Sequence, residues 1–504
     1  MLGETNLLGP QLVLMCVGGF LLIADLFFKD RRFLTLVAAG AILGSVAYSA
    51  ILLADGKVGQ EAFDGVLVFD HFSLFFQFLL AGAALATVAA SWETLDRIPS
   101  RRGEYLALIL FSTTGLMLLA GTRDLIGIFV ALELTSLSQY VLVGFHKDRL
   151  GSEAGLKYLL LGAISSAVLL YGMALLLGLS GSTDLSDIAA FIAGAGDGQF
   201  EALIFATAFL IVGFGFKAAV APFQMWVPDV YTGGPTPVAA FLSVASKAAA
   251  FAVLIRVFFE ALGDDLLADH WSTIFAVLAA LSMFVGNVLA IQQSNIKRML
   301  AYSSIAQAGT ILIGLAAISA DRGELLGASG ILFYLAGYTV ANLTAFLVII
   351  VVHEKIGSFQ IDDYRGLARR APLLAVVLAI ALLSLTGLPP TAGFFGKLYL
   401  FDTAIQSDLA WLAVIGVVNT VISAAYYIRP IKAMFVDEPA TAASGDGTPG
   451  SPAPVTPIDA VTSWLPSPPL GVTLALTAAG VIVIGLAPGL LIDVAEEAVS
   501  TIMF

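Results

Sequence analysis

Residues 201–223 read EALIFATAFLIVGFGFKAAVAPF. The run is long and apolar enough to cross a bilayer, yet it contains Lys217 and closes on Pro222. A charge near the bilayer centre costs about 2.5–3.5 kcal/mol on insertion scales, and residues that bear it usually face a protein interior and serve transport. Proline removes a backbone donor and clashes with the preceding turn. A broken helix at membrane depth survives only where protein or a wet cavity covers the freed backbone. The stretch therefore predicts an interrupted helix inside a many-helix membrane protein. A second stretch of the same kind, Gly387-Leu388-Pro389-Pro390-Thr391, precedes Lys397.

The rest of the chain has the same character. Its 504 residues are 59% hydrophobic and 12% charged, with mean hydropathy +0.94; soluble domains carry about 25% charged residues. Apolar runs fall near 7–28, 33–54, 71–91, 105–121, 124–145, 154–179, 201–221, 236–262, 271–291, 299–318, 327–352, 372–400, 409–436 and 470–493. The expected fold is an all-α membrane protein of about fourteen transmembrane helices, with helices 7 and 12 broken. The interrupted spans lie five apart in order, so units made of spans 4–8 and 9–13 have opposite topology, the pattern of two inverted five-helix repeats. The implied segments are 1–100 (spans 1–3), 101–265 (first repeat), 266–437 (second repeat), 438–469 (a Pro-rich linker) and 470–504 (span 14 and the C-terminus). The N-terminus has no basic region and no small-residue cleavage pattern, so the first span is expected to stay.

Charge placement fixes an orientation. With the N-terminus outside, the inner loops hold Lys29, Arg31, Arg32, Arg97, Arg101, Arg102, Lys147, Arg149, Lys297, Arg298, Lys355, Arg365, Arg369, Arg370, Arg429 and Lys432. The opposite loops hold only Lys57, Arg123 and Arg322, and carry acids such as Asp184, Asp187, Asp197, Asp264, Asp265 and Asp269. The bias of roughly five to one puts the basic loops in the cytoplasm. The formal charge of −13 argues against nucleic acid as a partner. Cys16 is the only cysteine and the four histidines are scattered, so no metal or iron–sulfur site is expected.

Inside the spans remain Glu133, Lys157, Lys217, Lys247, Arg256 and Lys397. Glu133 lies near mid-span, with Ser136 and Tyr140 on the same helix face. Lys217 and Lys397 each sit beside a helix break, and Lys247 lies among alanines that leave room for water. Lys157 is close enough to a span end to snorkel, and Arg256 fits a structural role. Tyr334, Tyr338 and Asn342 make one stripe, and Ser303 shares a face with Gln307; these groups either link the charges or bond helix to helix. Burial makes an ammonium give up its proton more readily and a nearby carboxylate reverses that, so lysine and glutamate in a row suit a proton relay. Arginine does not deprotonate and would not serve.

Asn295-Ile-Lys-Arg-Met-Leu-Ala-Tyr-Ser-Ser-Ile-Ala-Gln307, Phe216-Lys217 with Ala221-Pro222-Phe223 and Trp226-Val-Pro-Asp-Val-Tyr231, and Gly234-Pro-Thr-Pro-Val238 resemble the antiporter-like membrane subunits of respiratory complex I. Leu385-Thr-Gly-Leu-Pro-Pro-Thr-Ala-Gly-Phe-Phe-Gly-Lys397 and Asp363-Tyr-Arg-Gly-Leu367 look like the N type among them. The resemblance implies that Glu133 modulates a proton-loading Lys217, that Lys247 is the central relay and that Lys397 is the terminal group. Lys157, Gln307, Tyr334 and Tyr338 would be further path residues. Gln307 stands where many N-type sequences have histidine, so that step must use water or the tyrosines. By the same resemblance NADH, FMN, iron–sulfur clusters and quinone belong to partner subunits, and this chain binds no cofactor. Its neighbours would be M-type and K/J-type membrane subunits in a bacterial inner membrane. The alternative readings are a subunit of a multisubunit cation/proton antiporter and a lone carrier of an organic solute; no aromatic or arginine-lined substrate site supports the last.

Overall fold

A computed structural model describes residues 4–28, 30–98, 100–318, 326–438 and 464–502. Lys29, Arg322 and most of the linker expected at 438–469 lie outside the described residues. Among those described, 13 helices are long and apolar enough to cross a membrane. In chain order they are α1 (Gly9–Phe27), α2 (Arg31–Ala54), α3 (His71–Ala90), α4 (Arg102–Gly121), α5 (Leu125–Val143), α6 (Arg149–Ser180), α7a (Asp197–Ala218), α8 (Thr236–Ala261), α9 (Asp265–Ile291), α10 (Ile296–Ile318), α11 (Leu326–Ile356), α13 (Ala410–Phe435) and α14a (Pro468–Leu486). The remaining expected span is two short helices, α12a (Pro372–Thr386) and α12b (Ala392–Gln406).

Both expected interruptions are present. α7a stops at Ala219 (φ +63°), and after Pro222 the chain resumes as α7b, Val227–Gly233. α12a stops at Gly387 (φ +92°), and after Pro389-Pro390 it resumes as α12b. Each stop has a residue in the left-handed region, which is where a helix most easily releases its last turn. One expected boundary is corrected. The apolar run 470–493 is not a single helix, because Ala487 leaves the helical conformation before Pro488 (φ −131°, ψ 62°) and a separate helix, α14b (Pro488–Ser500), follows. A short hairpin, β1 (Gln60–Ala62) with β2 (Leu67–Phe69), joins α2 to α3.

Aspartates start many of these helices. Asp30, Asp70, Asp124, Asp148 and Asp264 accept a backbone N–H at the start of α2, α3, α5, α6 and α9. Each thereby satisfies a donor that has no partner within its helix. Burial then sorts the helices into shells. The apolar windows of α8, α10 and α11 are 100%, 94% and 94% buried, while those of α1, α2, α6 and α14a are 28–39% buried. A helix apolar all round belongs at the centre of a large bundle or in lipid. Here α8, α10 and α11 form the centre, and the outer helices display Leu, Ile, Val and Phe, such as Ile23, Leu36, Ile164 and Leu476.

Candidate functional site

The unexpected polarity gathers at three buried lysines, on α7a, α8 and α12b. Lys217, Lys247 and Lys397 are 4%, 2% and 5% exposed, so each ammonium must find its hydrogen bonds inside the protein. Lys217, on the last turn of α7a, donates to Ser136 Oγ at 3.1 Å and to Gln139 Oε1 at 2.9 Å, both on α5. Glu133, on the same helix, is only half-buried and is held by Ser166 Oγ at 2.5 Å. It makes no hydrogen bond to Lys217, whose partners on this helix are Ser136 and Gln139. Between Ser166 and Lys217 lies a cavity of about 10 Å³, lined also by Ser136, Tyr140 and Ser165, roughly the room one water needs.

Lys247 follows directly on a π-helical turn, Leu242–Ser246, within α8. Such bulges interrupt the usual hydrogen-bond ladder and recur at functional sites. Its ammonium donates to the carbonyl of Ser304 on α10 and lies 5.9 Å from the Tyr338 ring. The Ser304 hydroxyl receives Tyr338 at 3.2 Å and lies 3.5 Å from Tyr231 OH. One residue away, Ser303 bonds Tyr427 of α13, and Gln307 Nε2 donates to that same phenol at 3.2 Å. Gln307 Oε1 receives Tyr334. Asn342 donates to Ser243 Oγ at 2.6 Å, which ties the α11 stripe to the π-turn.

At the second break the arithmetic of a helix explains the geometry. The carbonyls of Leu385 and Thr386 would normally receive the N–H of residues four further on, but those are Pro389 and Pro390, which have none. Lys397 folds back from α12b and donates to both, at 3.3 Å and 2.9 Å. Gln307 Nε2 donates to the Leu385 carbonyl as well, at 2.9 Å. One freed carbonyl thus joins the glutamine to the terminal lysine.

Two singled-out cations stand apart from this row. Lys157 is 44% exposed and pairs with Glu153 and Asp229, both at 2.8 Å. Asp229 of α7b also receives Arg298 at 2.8 Å, and Lys297 donates to the Thr232 and Gly234 carbonyls at the other end of α7b. The conspicuous motifs at 226–231 and 295–307 are therefore contact partners. Beside them opens a cavity of about 300 Å³ whose lining includes Glu93, His146, Asp148, Lys297, His353 and Glu354. Burial pushes His146 below the usual histidine range, against the pull of Asp148. Arg256, on a second π-turn of α8, is held by Asp70 at 2.7 Å and 2.9 Å, by Glu260 at 2.7 Å and by the Ala120 carbonyl at 2.9 Å.

Residues 122–423, which hold the row from Glu133 to Lys397, match the family described as NADH:quinone oxidoreductase/Mrp antiporter, TM. The chain is 39% identical to NADH-quinone oxidoreductase subunit N of Dehalococcoides mccartyi, over 99% of this chain and 100% of that one. The chain belongs to this family. A chain of respiratory complex I from Thermus thermophilus superposes with TM-score 0.77 at 33% identity, covering 96% of this chain and 98% of its own. A chain of the Mrp complex from Dietzia sp. DQ12-45-1b shares the fold, with TM-score 0.82 at 21% identity over 100% and 98%. The protein is thus an antiporter-like membrane subunit of the complex I type. In this antiporter-family subunit, sequence reasoning missed Gln139, Ser246, Ser304 and Tyr427. Gln139 was open to discovery, because it lies three residues after Ser136 and so on the same face of α5.

Proposed function

We propose that this chain carries protons across a bacterial inner membrane as subunit N of an NADH-quinone oxidoreductase, driven by quinone reduction in partner subunits. Glu133 sets the charge of Lys217; Lys247 relays; Lys397 delivers the proton to the far side. What carries the reading is the file of buried contacts from Lys217 through Gln139 and Ser246, then Lys247, Ser304, Ser303, Tyr427, Gln307 and the Leu385 carbonyl to Lys397. Its only steps without a hydrogen bond are between sequence neighbours, Ser246–Lys247 and Ser303–Ser304. Burial weakens the hold of each ammonium on its proton and an approaching carboxylate strengthens it. Movement of Glu133 between Ser166 and the cavity beside Lys217 would therefore load or release that lysine. At Gln307 the amide cannot titrate, and the phenols of Tyr334 and Tyr427 with water carry the step.

The positive-inside bias supports a cytoplasmic basic face and an N-terminus outside. NADH, FMN, iron–sulfur clusters and quinone belong, on this reading, to other subunits, and M-type and K/J-type subunits flank the chain. The fold shared with Mrp chains keeps a cation/proton antiporter subunit as the second reading, and full-length 39% identity to a subunit N favours the first. The test is Lys217→Ala in the assembled complex, with proton pumping and quinone reduction measured together. Both activities should fall at least tenfold, as expected for loss of a positioned proton carrier worth about 10²–10⁴-fold. Wild-type values of both would overturn the assignment.

A further inference from the structure

Gln139 is completely buried and touches every helix of the first five-helix unit. Its Oε1 accepts from Lys217 Nζ of α7a at 2.9 Å, Tyr158 OH of α6 at 3.1 Å and Ser246 Oγ of α8 at 3.4 Å. Its Nε2 donates to Ser112 Oγ of α4 and to Thr135 Oγ1 of its own α5, both at 3.1 Å. These two hydroxyls also bond each other at 3.0 Å. An ammonium has donors only, so a charged Lys217 requires the amide oxygen to face it. A neutral amine has a lone pair and accepts. Every other partner of Gln139 is a hydroxyl, which donates or accepts as needed. The contacts on the Lys217 side can therefore reverse, and on the far side Ser112 and Thr135 can donate to the amide oxygen by giving up the bond between them.

The reversal is not neutral in number. In the present orientation one oxygen receives three donors. After it, the two N–H bonds of the amide face three acceptors, and one partner is released. Ser246 is held at the longest distance, 3.4 Å. It is also the last residue of the π-turn that leads directly into Lys247.

We propose that Gln139 is the positioning residue that couples the two lysines: its amide turns over with the charge of Lys217, releasing or recapturing Ser246 and with it the π-turn before Lys247. The amide itself gains and loses no proton. The inference rests on Lys217 being a proton carrier.

The groups around Gln139 that titrate are Glu133 and Tyr140 on α5, Tyr158 on α6, Lys217 on α7a and Lys247 on α8; α4 contributes the Ser112 hydroxyl. Proton-coupled quinone reduction of the assembled complex is measured against pH for wild type, Gln139→Glu and Gln139→Leu, with Lys217→Ala alongside. A carboxylate at 139 holds the Lys217 proton more tightly, and an apolar side chain releases it more easily. The midpoint of the pH profile should move alkaline in Gln139→Glu and acid in Gln139→Leu, each by about one unit or more. Equal losses of rate with unmoved midpoints would reduce Gln139 to packing and overturn the proposal. If Gln139→Leu fails to assemble, the isosteric Gln139→Glu alone decides the matter. Ser246→Ala should slow turnover several-fold in an otherwise normal chain and add nothing in a Gln139→Glu background; an additive effect would overturn the link to Ser246. Full activity in Lys217→Ala would instead remove the reading on which this inference rests.

Discussion

The two helix breaks look alike in sequence and hold their lysines by different means. At the first, Lys217 precedes the break and is received by side chains, Ser136 and Gln139, on the helix that carries Glu133. At the second, Lys397 follows the break and is received by backbone, the carbonyls left open by Pro389 and Pro390. The polar neighbours of the first are side chains, which can rotate. Those of the second are fixed by the chain itself. The first lysine is thus held by groups that can move, and the second where its ammonium also completes a helix end.

The sharpest way to break this contrast is to remove each lysine. Lys397→Ala leaves the buried Thr386 carbonyl without its donor, at about 1–3 kcal/mol, and the Leu385 carbonyl with Gln307 alone, so it should lower the melting temperature and the assembly of the complex as well as its turnover. Lys217→Ala should leave assembly intact. Lys397→Arg, which donates but does not release a proton, should restore assembly and not turnover. Equal assembly of Lys217→Ala and Lys397→Ala would end the distinction.

A smaller effect is expected at the stop residues. Gly387 has φ +92°, and an added Cβ would lie 2.9 Å from Lys397 Cδ. Gly387→Ala should destabilise by about 1–2 kcal/mol through the left-handed backbone alone, with an added loss of turnover from the displaced lysine. The same backbone region is already occupied by an alanine at 219, where φ is +63°. Ala219→Gly should therefore be neutral or slightly stabilising in the same thermal assay. Opposite signs at the two stops are the expected result, and like signs would show that the breaks are not comparable.

The smallest effect belongs to Lys157. Its ion pairs are partly exposed, and such pairs add little to stability. Asp229 keeps Arg298 when Lys157 is replaced. Lys157→Met should pump close to wild type; a loss as deep as that of Lys217→Ala would put Lys157 in the row after all.

How much of this was readable beforehand depends on what each residue costs in lipid. Lys217, Lys247 and Lys397 stand out in any apolar run because a charge there demands an explanation, and the prolines at 222, 389 and 390 mark the breaks because they lack a donor. Gln139 carries no charge, and polar side chains in membrane helices are commonly spent on helix packing. Nothing local distinguishes it from Gln77, which binds Ser49 and lies in another part of the fold. The role of the Leu385 carbonyl was hidden for another reason. Its missing partner follows from Pro389, but which side chain fills the gap depends on the return of α12b and the approach of α10. The clasp of Asp229 by Lys157 and Arg298 is likewise a meeting of residues far apart in the chain. Their positive charge was visible as topology, and their use in fixing α7b was not.

Arg256 shares α8 with Lys247 and lies nine positions further along, about two and a half helical turns toward the acidic loops. A guanidinium keeps its proton at any physiological pH. Anchored by Asp70 and Glu260, it stands at that end of the helix as a fixed cation whose charge is matched by carboxylates. On the reading proposed above, a proton held by Lys247 would meet, along its own helix, only a group that neither takes up nor gives up a proton.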